Sequence, residues 1–403
     1  MAILFWLCAG LTTVGLTLYA LQIVAVRRSL ATRFDADRPS TAASLPPISV
    51  LKPLKGLDDN LFDNLDSFCR QSYPTYEIIF SLQDHNDPAY KIARKIIEKH
   101  PDRDIRIIIE PCSRGMNPKV NNLIPAYRAS RHDAILISDS NVLVGPDYLR
   151  SLGRHLSDPS VGLVTNLIRG TGGKTLGSLF ENLHLNSFIV GSVCFLDQFL
   201  GMPCVIGKSM LMRKNDLDAI GGFEAVKDVL AEDFIIGSRM HESGRRIVVD
   251  NYLINNENQY WGVRRFLNRH TRWAKLRWKI GGPRYLTELL VNPVFIACLP
   301  LTWIGFTGPS LALPCCAAAL KIAGDRHLGI RTGAATHPFA YLLVPIKDLI
   351  IGVLWLVPLL SDTVLWRGNR YRIVQDSRLM PVLESGIWSW RYRLASSIRE
   401  RFA

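Results

Sequence analysis

Residues 133–141 read "DAILISDSN": an unbroken apolar run, a serine, and then an acid, Asp139. A short apolar run bounded by polar residues suits a strand buried on both faces. The same punctuation recurs upstream. "ISVLKPL" (48–54), "YEIIFSLQD" (76–84) and "DIRIIIE" (104–110) are strand-like, and "NLFDNLDSFCRQ", "PAYKIARKIIEKH" and "PKVNNLIPAYRAS" between them have helical spacing. Strands alternating with helices predict an α/β domain with a mixed, mostly parallel sheet. Ligands of such sheets bind beyond the carboxyl ends of the strands. Asp84 and Asp139 stand at two such ends, with Lys55 and Lys119 in neighbouring loops. One acid ending a strand is commonly a turn former. Two acids with two lysines on one rim point instead to a phosphorylated ligand.

The flanks are of another kind. Residues 1–26 carry no charge, and Arg27, Arg28 and Arg33 follow. That order predicts an uncleaved membrane anchor whose C-terminal side faces the cytoplasm. A second apolar zone runs from Leu289 to Leu320, broken by Gly308, Pro309 and Pro314. A third, "PFAYLLVPIKDLIIGVLWLVPLL", holds Lys347 and Asp348 at its middle, where charges must pair or face protein. Three full crossings would leave the basic tail (Arg367, Arg370, Arg372, Arg391, Arg393) outside, against the charge rule. One of the three is therefore expected to be interfacial or re-entrant. The net charge of +13 lies largely beside these segments, so anionic headgroups, not nucleic acid, are the expected partner. The eight cysteines form no CxxC or Cys/His zinc spacing, in keeping with a reducing compartment.

Between the domain and the membrane zone lies "GVRRFLNRHTRWAKLRWKIGG" (262–282). At 100° per residue Val263, Phe266, Leu267, His270, Trp273 and Ala274 share one face, and Arg265, Arg269 and Arg272 the opposite one. The pattern predicts an amphipathic helix at the lipid surface with one cationic stripe. Turned toward the rim, that stripe would suit a pyrophosphate, which the planar guanidinium fork matches. Glu232 and Asp233 precede a helical turn; they are either helix-start acids or part of the site.

"SVLKPLKG", "QDHNDPA", "NPKVNNL", "DSN", "AEDF" and "RHTRW", in this order, resemble the ceramide glucosyltransferases, family 21 of the glycosyltransferases. The resemblance extends from about residue 48 to 372. It implies a GT-A fold using a UDP-sugar, UDP-glucose foremost, and a ceramide-like acceptor. By motif, Asp84 is expected near the uridine, with Pro53, Lys55, Lys119, Asn122 and Glu232 around the nucleotide. Asp139 is expected to hold a divalent cation, Mg²⁺ or Mn²⁺, and Asp233 to be the general base. Arg269, Arg272 and Trp273 form the R-x-x-R-W element at the diphosphate and acceptor entrance. One departure stands out: the wider group's D-x-D is here Asp139-Ser140-Asn141, and Asn141 is a neutral, weaker ligand for a hard cation.

The expected organisation is an anchor (1–26), a linker (27–47), a catalytic domain (48–260), an interfacial helix (261–282), membrane segments (287–361) and a basic tail (362–403). The catalytic domain is expected on the cytoplasmic face of a bacterial inner membrane. Alternatives are a hopanoid-type lipid glycosyltransferase using a UDP-N-acetylhexosamine and a catalytically silent lipid-binding protein on the same fold. A processive polysaccharide synthase would need more membrane segments than this chain has.

Overall fold

The computed structural model describes residues 2–31, 45–366 and 369–382. Arg367, Arg391 and Arg393 of the basic tail and most of the linker lie outside the described residues. Every predicted strand between residues 48 and 141 forms: β1 (Ile48–Pro53), β2 (Tyr76–Leu82), β3 (Ile105–Ile109) and β4 (Ala134–Ser138). They are joined by β5 (Val142–Leu143), β6 (Val161–Thr171), β7 (Ser209–Arg213) and β8 (Arg246–Glu257) in one sheet of order β3-β2-β1-β4-β7-β6-β8-β5. β7 runs antiparallel to both β4 and β6, and β5 runs antiparallel to β8; all other pairings are parallel. This is the mixed, mostly parallel sheet expected of a GT-A domain. Apolar side chains cover both faces: Val50, Ile78 and Leu136 point to one core, and Leu51, Ile79 and Ile137 to the other. The alternation follows from the two-residue period of a strand.

A buried acid ties the ends of these strands. Glu77 on β2 is fully buried. It accepts hydrogen bonds from the Ser49 hydroxyl on β1 (2.6 Å) and the Arg131 amide before β4 (2.7 Å), and it pairs with the Arg106 and Arg131 guanidinium groups. Burial opposes its charge, but these donors outweigh burial and lower its pKa from 4.5 to about 2.

The N-terminal helix, Ala2–Ala31, runs past the charge-free stretch and packs on a second apolar helix that sequence reading passed over. Residues Leu176–Leu200 form that helix, long and apolar enough to cross a membrane by length and composition, yet mostly covered by protein. Tyr19, Ala25 and Val26 of the first meet Val190, Val193 and Cys194 of the second.

The apolar zone after the domain breaks at residues 305–307, after the segment Pro293–Ile304. Gly308 and Pro309 open a helix (Gly308–Thr332), where proline at the first turn costs no hydrogen bond. Pro314 is accommodated inside it. That helix continues beyond Leu320 to carry Lys321 and Asp325. Lys347 and Asp348, on the helix Val344–Leu360, pair with each other (2.8 Å) and reach Asp325 and Lys321, while Tyr19 donates to Asp325 (2.6 Å). The cost of these buried charges is thus met by pairing, as the sequence required, across three helices.

The tail is not a free appendage. Residues Thr363–Trp366, Asn369–Ile373 and Leu379–Pro381 form a small antiparallel sheet whose Val364, Tyr371, Ile373 and Leu379 pack on Leu230. Leu230 donates its amide to Ser377, and Leu379 donates to Asp228. Contact of the tail with residues 228–230 puts both on one side of any membrane that the intervening helices would span. A 70° bend at the break between Val263–Val291 and Pro293–Ile304 is where one apolar segment departs from a straight span.

Replacing Glu77 by glutamine, which leaves buried donors facing a neutral amide, is expected to cost about 3 kcal/mol. The carboxylate's pKa is depressed on folding, so its contribution is present above pH 4.5 and is lost as pH falls toward 2. Thermal melts of detergent-solubilised wild type and variant should converge across that window.

Candidate active site

The antiparallel course of β7 builds the site. Ser138 at the end of β4 pairs with Ser209 at the start of β7, which sets Asp139 beside Gly207 and Lys208. From the other side comes the helix Pro118–Ala129. Asn117 caps it by accepting from the Lys119 and Val120 amides, with proline next in line. The cap places Lys119 at the helix start, pointing into the rim. Its ammonium contacts Asp139 Oδ1 (2.9 Å), Glu232 Oε1 (2.9 Å) and the Gly207 carbonyl (2.9 Å). Asn117 also donates to Glu232 Oε2 (3.1 Å) and to the Val229 carbonyl (2.8 Å). One asparagine thereby fixes both the lysine and the acid it pairs with.

Asp139 is the centre of the charge arrangement. Its second oxygen meets Lys208 (2.9 Å), whose ammonium also donates to Asn141 Oδ1 (2.6 Å). Its backbone carbonyl accepts from Lys52 (2.6 Å), a fully buried side chain lying over the Phe68 ring. Burial alone would raise the Asp139 carboxyl, but Lys119 and Lys208 overcome it and drive the pKa far below the carboxylate range. Lys119 is the reverse: burial opposes its charge, and Asp139, Glu232 and Asp233 overcome that and hold it protonated. Lys52 is lowered to about 7, chiefly by burial.

Glu232 and Asp233 open the helix Glu232–Glu242, so the helix-start reading is correct as local geometry. Asp233 accepts from its neighbour Phe234 (2.8 Å) and from the Gly207 amide (2.9 Å). A β-carbon on Gly207 would lie 2.6 Å from the Asp233 carboxylate, which is why the chain needs glycine there. Despite those two donors and Lys119, the pKa of Asp233 is pushed up to about 6, first by burial and then by the adjacent Glu232 charge.

The cationic helix forms over Val263–Gly281, and Phe266, His270 and Ala274 are buried as predicted. Its arginines do not form one open stripe, because protein packs on both sides of the helix: Leu176–His184, Val344–Leu360 and the tail sheet all contact it. Arg265 is half exposed, over the Trp261 ring and 3.8 Å from Asp58. Arg269 turns inward, its guanidinium over the Trp273 ring and 3.3 Å from the buried Glu181, within electrostatic reach of Asp139. Glu181's other oxygen takes His270 (2.9 Å). Arg272 lies over Trp366 of the tail sheet.

The remaining predicted residues hold the rim instead of facing its centre. Asp84 is exposed and accepts from the Asn86 amide and side chain, a turn closed on itself. Lys55 is exposed in the next loop. Asn122 is buried and committed: it donates to the Leu54 carbonyl and accepts from Gln83. Pro53 ends β1 beyond its last pairing with β4, where a missing amide costs no ladder bond. Sequence reading missed Lys52, Lys208 and Glu181. A lysine inside an apolar strand and a lone acid inside an apolar helix were the available signals for two of them; Lys208 carried none until β7 was paired.

Asp139, Asn141 and Glu232 are all oxygen donors, the chemistry a hard cation takes. Two ammonium groups already occupy Asp139, and among the described residues no group of three acids, histidines or cysteines is placed to hold a metal. These donors fit a cation that takes most of its ligands from a bound diphosphate, with Lys208 moving aside; they do not fit a preformed metal cage.

The family model described as Glycosyl transferase family 21 matches residues 7–379, and the chain belongs to that family. It is 28% identical to ceramide glucosyltransferase 1 of Caenorhabditis elegans over 90% of this chain and 78% of that one. It is 34% identical to ceramide glucosyltransferase of Komagataella phaffii over 42% of this chain and 38% of that one. Among solved structures, a mannosyltransferase from Pyrobaculum calidifontis in complex with GDP-Man and Mn²⁺ aligns with a TM-score of 0.48 and 18% identity, covering 88% of this chain and 99% of that one. The chain is a nucleotide-sugar glycosyltransferase.

Calorimetric titration with Mn²⁺ should show no heat of binding to the free protein and clear binding once UDP is present. Lys119→Met should cost about 3 kcal/mol of stability in thermal melts, because buried Glu232 and partly buried Asp139 then lose the counter-charge they share.

Proposed function

We propose that this family member transfers glucose from UDP-glucose to the primary hydroxyl of a ceramide-like lipid, with inversion. The observation that carries the reading is the pairing of roles on one rim. Asp233 is an acid with a pKa near neutrality, and a bank of cations, Lys119, Lys208 and Arg269, gathers around Asp139. The first is what a general base needs; the second is what a leaving diphosphate needs.

In this account Asp233 takes the proton of the lipid hydroxyl. Its oxygen forms a bond to the anomeric carbon from the side opposite UDP. The bond from that carbon to the diphosphate oxygen breaks, and the α-linked donor gives a β-glycoside. The charge left on the diphosphate is stabilised by Arg269 and Lys119, which are held in place before the reaction. Asp139 and Asn141 would hold Mg²⁺ or Mn²⁺, whose bound form adds Lewis-acid neutralisation of the same diphosphate. Asp84, Lys55 and Pro53 are assigned to the outer, nucleoside end of the rim, with Asn122 shaping the loop beneath it. Arg272 and Trp273 are assigned to the acceptor entrance.

The relatives named as ceramide glucosyltransferases support the lipid acceptor, as do apolar helices packed directly on the catalytic domain. Arg27 and Arg28, at the domain side of the first helix, support placement of domain and tail on the cytoplasmic face.

Incubating the purified full chain with a panel of UDP-sugars and with ceramide or a hopanoid polyol tests donor and acceptor together; transfer of N-acetylhexosamine to the polyol alone would favour the rival reading. Asp233→Asn should lower kcat by about 10²–10⁴-fold while UDP affinity stays near wild type. Because the base must be ionised, wild-type kcat should climb with pH through about 6 and then level off. Equal loss of UDP binding in the variant would make Asp233 structural.

A further inference from the structure

The segment Pro338–Leu360 is long and apolar enough to cross a membrane by length and composition. The way its ends are held and the way its faces are divided both argue against a crossing.

Both ends are fixed to the catalytic domain. Just before the segment, Arg169 of β6 donates to the carbonyls of Thr332 (2.7 Å) and Gly333 (3.2 Å). Tyr341 and Val344, near its start, pack with Leu183. Just after it, Lys275 of the cationic helix donates to the Ser361 hydroxyl (3.1 Å) and the Thr363 carbonyl (2.6 Å), and the tail sheet follows onto Leu230. A spanning helix must release its two ends on opposite sides of a hydrocarbon layer about 30 Å thick. This one begins and ends on the same body of protein, and between those points it packs on the cationic helix.

The faces are divided as a flat-lying helix requires. Phe339, Leu342, Ile346, Val353, Leu356 and Leu360 are exposed, and from Leu342 onward their helical spacing puts them on one stripe. Lys347, Asp348 and Gly352 are buried on the opposite side. Upright in a bilayer, Lys347 and Asp348 would sit near mid-depth, where charge is most costly. Lying flat, they face protein, and only hydrocarbon side chains are presented outward. An exposed apolar stripe of this length marks a contact surface. The helix Gly308–Thr332, with Leu311 and Leu320 exposed, packs both on this segment and on the N-terminal helix, where Ile3, Trp6 and Leu7 are exposed. The stripe therefore adjoins the outward apolar surface of the other membrane helices.

We propose that Pro338–Leu360 lies in the plane of the bilayer, with its exposed stripe sunk about 5–10 Å into the boundary between headgroups and acyl chains. Both of its ends stay on the catalytic-domain side. Its partner is the lipid surface itself, met through apolar burial and not through a site for one lipid. This is the interfacial segment that the charge rule called for, and it holds whichever sugar and acceptor the enzyme uses. Because the cationic helix packs on it, the segment also sets the height of Arg269 above the lipid.

The test uses the unmodified full chain in phosphatidylcholine nanodiscs that contain one of two photoactivatable phosphatidylcholines. One carries a diazirine near the glycerol and the other at the acyl terminus, and labelled sites are found by peptide mapping. The shallow probe is expected to label the 342–360 stripe, and the deep probe to leave it unlabelled although it labels the N-terminal helix. Deep labelling around residues 349–353 means a crossing, and no labelling by either probe means that lipid does not cover the stripe; each result overturns the proposal. Sidedness is read separately with Ala335→Cys and Arg370→Cys, two exposed positions that flank the segment. An impermeant maleimide, applied to intact cells and to inverted vesicles, should reach both from the same side. Reaction from opposite sides overturns the in-plane assignment even where the shallow probe labels the stripe.

Discussion

Lys119 is shared between Asp139 and Glu232, and much of the site is arranged to keep that sharing intact. Two carboxylates facing a common space would repel; one ammonium between them offsets that repulsion, and with Lys208 it holds Asp139 ionised. Asn117 fixes the lysine by capping its helix and fixes Glu232 by a direct hydrogen bond. Asp233, next to Glu232, is the group whose ionisation becomes difficult: burial first and the neighbouring acid second raise its pKa. Asp139 and Asp233 thus take opposite characters on one rim, the first held ionised by two lysines and the second raised by burial despite Lys119. Separated titrations of neighbouring groups are how one site supplies both charge stabilisation and proton transfer.

The membrane-proximal part shows a similar economy on a larger scale. Lys321, Asp325, Lys347 and Asp348 would each be expensive in an apolar layer, but together they are neutral and join the helices that carry them to Tyr19 of the first helix. The tail sheet closes the arrangement from outside by pinning residues 228–230, immediately before Glu232. The position of the acids is therefore set both by the sheet within the domain and by the end of the chain that returns to it. A cationic helix clasped between domain, membrane helix and tail sheet can deliver Arg269 to one place instead of offering it to solvent.

Local pattern carried the first half of the catalytic domain. The strands from Ile48 to Ser138 and the helices between them follow from apolar periodicity and from capping signals such as Asn117-Pro118, interactions that span a few residues. Asp139, Glu232, Asp233, Lys119 and Arg269 were legible because their residue types and motif spacing restrict them chemically. Asp84 and Asn122 were legible as rim residues, yet their side chains are engaged in a local turn and in a loop brace.

The sequence by itself determined that strands would alternate with helices, that acids would collect at strand ends, and that charges buried among apolar residues would have to pair. Those outcomes depend on side-chain period and on the cost of desolvation, both readable from composition and spacing. Only the tertiary structure decided which charges meet. Lys208 reaches Asp139 because β7 runs antiparallel to β4, Glu181 joins Arg269 to His270 because two helices cross, and the tail lies beside the domain because distant apolar faces pack together. Each is a contact between segments far apart in the chain, and no local periodicity encodes which partner a free face or a lone charge will find.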